Sequence, residues 1–395
     1  MKETAFNGQR LEEALRIKLM NRTELAKITG ISKQAISQYV NNDSKPSFEK
    51  VLTIAEKLNF PIEFFFSRDL IPVSTTNTYF RSQAAARKRD QAAQKIKLEY
   101  VARIYKLLSG YVDFPKPDFF NLNLHNTTDE SVTQNECSFT DIESLAEKLR
   151  KKWELGAGPI KNMQFLLESH GIIVTGFDDI DNKIDAFSQK VVLKGSECIF
   201  IIALSLSKSK CRQLFDLAHE LGHIVLHEWD DSFEELNKED FNRMEAEANF
   251  FASAFLLPKD SFSKDVSPYP TNLDYYILLK RKWHVSIQAM IYRARQLGII
   301  TQNQFAHMMR NISVRGWRKK EPDDVIGTLQ ATIFQGAIDA LLDAKILTTE
   351  DILNAFNEAG LNYGIKNLES LMCLTPGTLK VEPKVIKFAI KPKNN

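Results

Sequence analysis

The sequence predicts an α+β fold that is mostly helical, and three observations carry that prediction. Short amphipathic segments with recognisable caps fill residues 8 to 66, three strand-like runs cluster between 171 and 204, and helical periodicity returns from 208 onward. At 395 residues the chain exceeds the usual single-domain size. The expected order is an N-terminal helical bundle over 1–69, a helical linker and loop over 70–140, a domain with a small, mostly antiparallel sheet over 141–321, and a helical C-terminal extension over 322–395.

Composition excludes some classes. With 44% hydrophobic and 26% charged residues the chain can build real cores, and a net charge of +2 requires any nucleic-acid role to appear as local asymmetry. Cys137, Cys198, Cys211 and Cys373 show no C-x-x-C spacing, which argues against a cysteine zinc site and a disulfide framework. A reducing cytoplasm is expected. The charged start, MKETAFNGQRLEEALRIKLMNR, lacks the apolar core of a signal peptide, and no segment approaches membrane-spanning length.

In the first bundle, Asn21 and Glu24 form a capping-box pattern, Gly30 ends that helix, and Ser32 caps Lys33 to Val40. Leu25, Ala26, Ile28, Ile31, Ile36 and Val40 form its apolar face, with Leu52, Ile54, Ala55 and Leu58 from a later helix. Ile71-Pro-Val-Ser-Thr-Thr-Asn reads as a polar connector before a long helix over about 82 to 109, and a loop-like stretch follows. Ile142 to Trp153 and Ile160 to Glu168 read as helices separated by the Gly156-Ala-Gly-Pro breaker, a helix stop without the Lys-Ser/Thr tail of a phosphate loop.

The runs from Gly171, Ser188 and Cys198 read as strands; Ile199 to Leu204 is open to an edge position, where an extended peptide would add, or an interior one. Helices follow over about 208–228, 240–256, 284–297, Ile326–Leu342 and Thr349–Glu358, and Lys380 to Lys391 alternates like a strand.

Three of the seven histidines fall within Ala218-His-Glu-Leu-Gly-His-Ile-Val-Leu-His227. On a helix His219 and His223 lie one turn apart on one face, separated by about 6 Å of rise, so two imidazoles converge on one tetrahedral zinc. Glu220, beside the first ligand, reaches the attacking water and is the expected general base. His227 continues the series but lies about 12 Å from His219 along a straight helix, too far to share a metal whose ligands sit about 2 Å away. Its expected role is support of the site. Leu226 and Trp229 break the longer three-histidine motif.

The third ligand is expected in Met244-Glu-Ala-Glu-Ala-Asn-Phe-Phe-Ala-Ser-Ala-Phe, where Glu245 and Glu247 are both available. Glu247 is favoured because it shares a helical face with Phe250, Phe251 and Ala254, so its carboxylate needs a partner on the buried side. For a donor to the oxyanion, His284, Tyr292 and Arg293 are the candidates.

Residues from about 142 to 321 resemble the ImmA/IrrE family of bacterial metallopeptidases, gluzincin-like enzymes. The resemblance runs through RKKWELGAGPIKNMQFLLESHGIIV, CRQLFDLAHELGHIVLH, EAEANFFASAFLLP, LKRKWHVSIQAMIYRARQLGII and RGWRKKEP. It implies zinc on His219, His223 and Glu247 with Glu220 as base. The stretch RTELAKITGISKQAISQYVNNDSKPSFEKVLTIAEKLNF resembles the Cro and phage-repressor helix-turn-helix domain of XRE regulators. In that arrangement Lys33, Gln34, Ser37 and Gln38 face base edges, and Arg22, Asn41 and Lys45 hold phosphates.

Together these resemblances imply a regulatory zinc endopeptidase that binds double-stranded operator DNA as a homodimer. By resemblance it cleaves a helix-turn-helix repressor or antitoxin in a stress, mobile-element or phage response. The alternative is a transcription regulator or antitoxin-like repressor whose zinc domain is a sensor or scaffold.

Overall fold

The computed structural model describes residues 5–66, 73–80, 88–119, 138–177, 185–193, 197–227, 229, 237–327, 329 and 333–381. The N-terminal bundle consists of α1 (Gly8–Ile17), α2 (Arg22–Thr29), α3 (Lys33–Val40), α4 (Phe48–Leu58) and a 3-10 turn, Ile62–Phe66. Its caps are those the sequence predicts. Asn21 Oδ1 accepts from Glu24 N at 2.9 Å while Asn21 N donates to Glu24 Oε2 at 2.7 Å, and Gly30 takes the left-handed φ of 70° that ends α2. Ser32 Oγ accepts from Ala35 N to open α3. A Cβ on Gly8 would lie 2.2 Å from the Tyr39 carbonyl oxygen, so only glycine lets α1 close onto the end of α3.

Next comes β1 (Ser74–Phe80), then α5 (Lys88–Leu108), α6 (Phe139–Lys152) and α7 (Met163–Ser169). The expected polar connector is thus partly a strand. Nothing in its own periodicity demands that; the pairing partner supplies the ladder. After β2 (Ile172–Phe177), β3 (Ala186–Val192) and β4 (Cys198–Ser205) come α8 (Lys210–Leu226), α9 (Lys238–Leu256), α10 (Lys259–Val266), α11 (Leu273–Trp283) and α12 (Ile287–Gln296). The chain continues through α13 (Gln302–Val314), α14 (Ile333–Asp343), α15 (Thr349–Glu358) and α16 (Ile365–Leu371). The strand expected over Lys380 to Lys391 lies, beyond residue 381, outside the described residues.

The sheet order is β1-β3-β4-β2, with β1–β3 and β3–β4 antiparallel and β2–β4 parallel. Ile199 to Leu204 is therefore interior, and the edge-strand reading of that run is overturned. Its unbroken apolar run has a simple cause, since β4 is covered on both faces. Ile199, Ile201 and Ala203 join Phe187, Val191 and Ile173 in one core, while Phe200, Ile202 and Leu204 join Ala186, Ile172 and Val174 in the other.

The first of these cores reaches well beyond the sheet. It contains the apolar faces of α1 to α4, the inner face of α5, and Phe334, Ile338, Ile352, Phe356, Leu361 and Tyr363 of the C-terminal region. Arg10, 3% exposed, donates to the Tyr100 hydroxyl at 3.0 Å and to the Gly360 carbonyl at 3.2 Å, joining α1, α5 and the segment after α15. The second core packs α6 to α13 against the opposite sheet face. None of the described helices is long and apolar enough to cross a membrane.

Candidate metal centre and nucleic-acid interface

Helix α8 lies across β3 and β4 and presents His219, Glu220 and His223 inward, at 0%, 1% and 2% exposure. Among the described residues, His219, His223 and Glu245 bring three ligand atoms within 4.8 Å of one another. His219 Nε2 lies 3.1 Å from His223 Nε2, and the Glu245 carboxylate straddles the pair, Oε2 at 3.5 Å from His219 Nε2 and Oε1 at 3.2 Å from His223 Nε2.

A tetrahedral zinc with ligand bonds of about 2.0–2.1 Å has ligand-to-ligand edges of about 3.3 Å. The three edges match that size, and two neutral imidazoles with one carboxylate are a zinc donor set. The residues present therefore fit the ion. Burial pushes the Glu245 carboxyl up, but the His219 and His223 rings beside it outweigh burial and hold the group below its ordinary range.

The sequence reading placed Glu247 here, and the structure places it elsewhere. Glu247 Oε2 accepts from His227 Nε2 at 3.1 Å, and His227 Nδ1 lies 3.0 Å from His223 Nδ1. Burial pushes the His227 pKa down to about 4 despite its bond to Glu247, so the ring is neutral near pH 7. Glu247 then selects the tautomer with hydrogen on Nε2. His227 Nδ1 accepts from His223 Nδ1–H, and the His223 Nε2 lone pair is left aimed at the cluster. His227 thus supports the site from behind it, and Glu247 is the carboxylate that orients His227.

The close approach of α8 and α9 explains the exchange of glutamates. A Cβ on Gly222 would stand 3.1 Å from both Ala248 Cα and Ala248 O, so backbone meets backbone here. Glu245 lies one turn before Ala248 and shares that small-residue face with Ala252, whereas Glu247 lies one turn before Phe251, which meets Gly222 with its ring and not its backbone. Proximity of backbones, rather than bulk of apolar neighbours, marks the carboxylate that reaches the histidine pair. Replacing Gly222 by Val is expected to separate the helices, cost about 1–3 kcal/mol of stability and weaken zinc binding. Thermal unfolding of the metal-free chain and zinc titration against a chromophoric chelator measure the two effects separately.

Sequence reasoning missed Ser188. On β3 it shares the face of Ala186, toward α8, and its hydroxyl donates to Glu220 Oε2 at 2.5 Å. This fixes the carboxylate's orientation. Only the strand pairing shows it, because 32 residues separate the two.

None of the oxyanion candidates hydrogen-bonds to His219, Glu220, His223 or Glu245 among the described residues. Arg293, 0% exposed, donates Nε to the Leu257 carbonyl at 3.0 Å and both terminal nitrogens to Glu143. Tyr292 is exposed and packs edge-on against Phe305. His284 is the exposed left-handed cap of α11. The Gly156–Gly158 loop turns carbonyls onto Arg150, as befits a helix stop.

In the N-terminal bundle, Lys33, Gln34 and Gln38 are exposed along the outer face of α3, with Ser37 half-buried between them. Asn41 and Lys45 are exposed beyond its end. Arg22 is ion-paired to Glu12 at 3.1 Å, which ties it to α1.

Residues 167–295 match the family model of the IrrE N-terminal-like domain, peptidase family M78, and residues 11–65 match a helix-turn-helix model. A search of curated proteins finds no match for the chain. Over these two stretches the chain is similar to a helix-turn-helix domain and to the IrrE N-terminal-like domain of a peptidase family.

Proposed function

We propose that this chain is a regulatory, zinc-dependent endopeptidase that binds operator DNA and cleaves a helix-turn-helix repressor or antitoxin in a stress, mobile-element or phage response. The observation that carries it is the tetrahedral spacing of His219, His223 and Glu245 beside a buried Glu220. A site built only to brace the fold would have no use for a base there.

Bound zinc supplies Lewis acidity toward a peptide carbonyl and toward the attacking water. Glu220 takes the proton of that water and carries it to the leaving amine, while Ser188 holds its carboxylate in one orientation. Lys33, Gln34, Ser37 and Gln38 read base edges from α3, and Asn41 and Lys45 hold phosphates. Palindromic half-sites call for a homodimer. The cytoplasm, where operators and repressors meet, is the compartment this reading requires.

Glu220→Gln tests it. The variant is expected to retain zinc and operator affinity while cleavage falls about 10²–10⁴-fold. Protein termini compared between cells carrying wild type and the variant identify the substrate. If both proteomes show the same termini while zinc is bound, the metal domain is a sensor or scaffold and the chain is a regulator alone.

A further inference from the structure

With β4 interior, the sheet offers two edges. The edge at β2 is closed by the C-terminal region, where Gly176 N donates to Cys373 Sγ at 3.2 Å and Thr175 Oγ1 donates to the Leu371 carbonyl at 2.8 Å. At the other edge β1 lies outermost, over β3, the strand whose Ser188 holds Glu220. An extended peptide added to β3 would run along the catalytic carboxylate, because neighbouring strands lie only about 4.8 Å apart.

That lane is already taken by the chain itself. β1 pairs antiparallel with β3, Thr78 opposite Gln189, Tyr79 opposite Ser188 and Phe80 opposite Phe187. The residue facing the holder of the base across the ladder is thus Tyr79 of the segment that joins the DNA-binding bundle to α5. Between Thr75 and Thr78 the register slips, so Thr76 and Asn77 stand opposite Lys190 alone. A bulge interrupts the ladder and weakens the grip of a seven-residue strand. The sequence Ser74-Thr-Thr-Asn-Thr-Tyr-Phe80 carries no charge, which suits a strand held by main-chain bonds.

We propose that β1 is a resident occupant of the substrate lane: the outer edge of β3 takes an extended, uncharged peptide segment in antiparallel pairing, and β1 must leave before a substrate enters. This rests on the endopeptidase reading, which it deepens by naming the form of the substrate and the segment that withholds it. Both ends of β1 lead into elements of one core, the helix-turn-helix bundle before it and α5 after it. The position of the DNA-binding bundle therefore bears on the occupancy of the lane.

The test uses the full zinc-loaded chain and a fluorescein-labelled peptide of residues 73–80, VSTTNTYF. Thr78→Pro with Tyr79→Pro removes two adjacent amides, so the β1 ladder breaks whichever of the two bonds to β3. This variant is expected to bind the peptide at least about 10-fold more tightly than wild type by anisotropy, since an intramolecular strand competes at millimolar effective concentration. It should also yield zinc faster to a chelator. A second variant, Thr75→Cys with Val191→Cys, locks β1 when oxidised; peptide binding should vanish on oxidation and return on reduction.

Equal peptide affinity in wild type and the proline variant, or a lock without effect on binding, overturns the proposal. Should the proline variant lose its fold, the oxidised and reduced states of the lock decide. If wild type retains no zinc yet the peptide results hold, the metal reading fails while the lane stands.

Discussion

Replacing Glu245 by Ala is expected to abolish stoichiometric zinc retention, whereas Glu247→Gln should weaken it only about 10–100-fold. The asymmetry follows from where each carboxylate lies. Glu245 reaches His219 and His223 at 3.5 and 3.2 Å, so its loss leaves two nitrogen donors and no anionic ligand. Glu247 touches neither ligand nitrogen; it holds His227, which holds His223. Its removal frees the tautomer and tilt of one ligand while the donor set survives. Metal content after dialysis, with competition titration for the affinities, separates the two. If Glu247→Ala empties the site and Glu245→Ala leaves it filled, the assignment of the third ligand is reversed.

Arg293→Ala is expected to destabilise the fold by about 3–5 kcal/mol, the effect of breaking a buried ion pair from one side. Arg293 is 0% exposed, and its guanidinium joins three parts of the domain: α12, the Leu257 carbonyl at the end of α9, and Glu143 on α6. Truncation strands the Glu143 carboxylate beside the core and leaves a buried carbonyl without its donor. Arg293→Lys keeps the charge but loses the two-pronged geometry, so an intermediate loss is expected. Glu143→Gln combined with Arg293→Met should cost less than Arg293→Ala, since no unpaired charge remains. Urea midpoints give the stability, and zinc affinity per folded molecule should be nearly unchanged. A collapse of cleavage without loss of stability would return Arg293 to the catalytic role its position in the chain first suggested.

Much of the candidate site is legible in the sequence. Histidines at i and i+4 fall on one helix face by geometry alone, and α8 buries His219 and His223 together with Glu220. The capping box at Asn21 and Glu24, the glycine stop at Gly30 and the Ser32 cap are local chemistry and appear where the residues dictate. The choice between Glu245 and Glu247 was not legible from apolar periodicity. Both glutamates touch buried faces of α9, and the deciding quantity is the distance to α8 at Gly222 and Ala248, which no single helix encodes.

The linker shows the same limit more sharply. Ser74 to Phe80 lacks the alternation that announces a strand, and it becomes one because β3 has an edge to fill. Arg293 looks like a spare cation in the sequence, and only packing shows that Glu143, 150 residues away, neutralises it.

Residues within a turn or two of each other were enough to specify the helix-turn-helix and the helix that carries His219, Glu220 and His223, because helix geometry converts their spacing directly into direction. Partners tens to hundreds of residues apart were chosen by packing: Glu245 as the carboxylate beside His219 and His223, Ser188 as the donor to Glu220, β1 as the neighbour of β3, and the C-terminal helices in the same core as the N-terminal bundle. Those choices depend on which surfaces come close enough to exclude water, a property of the assembled chain and not of any segment read alone.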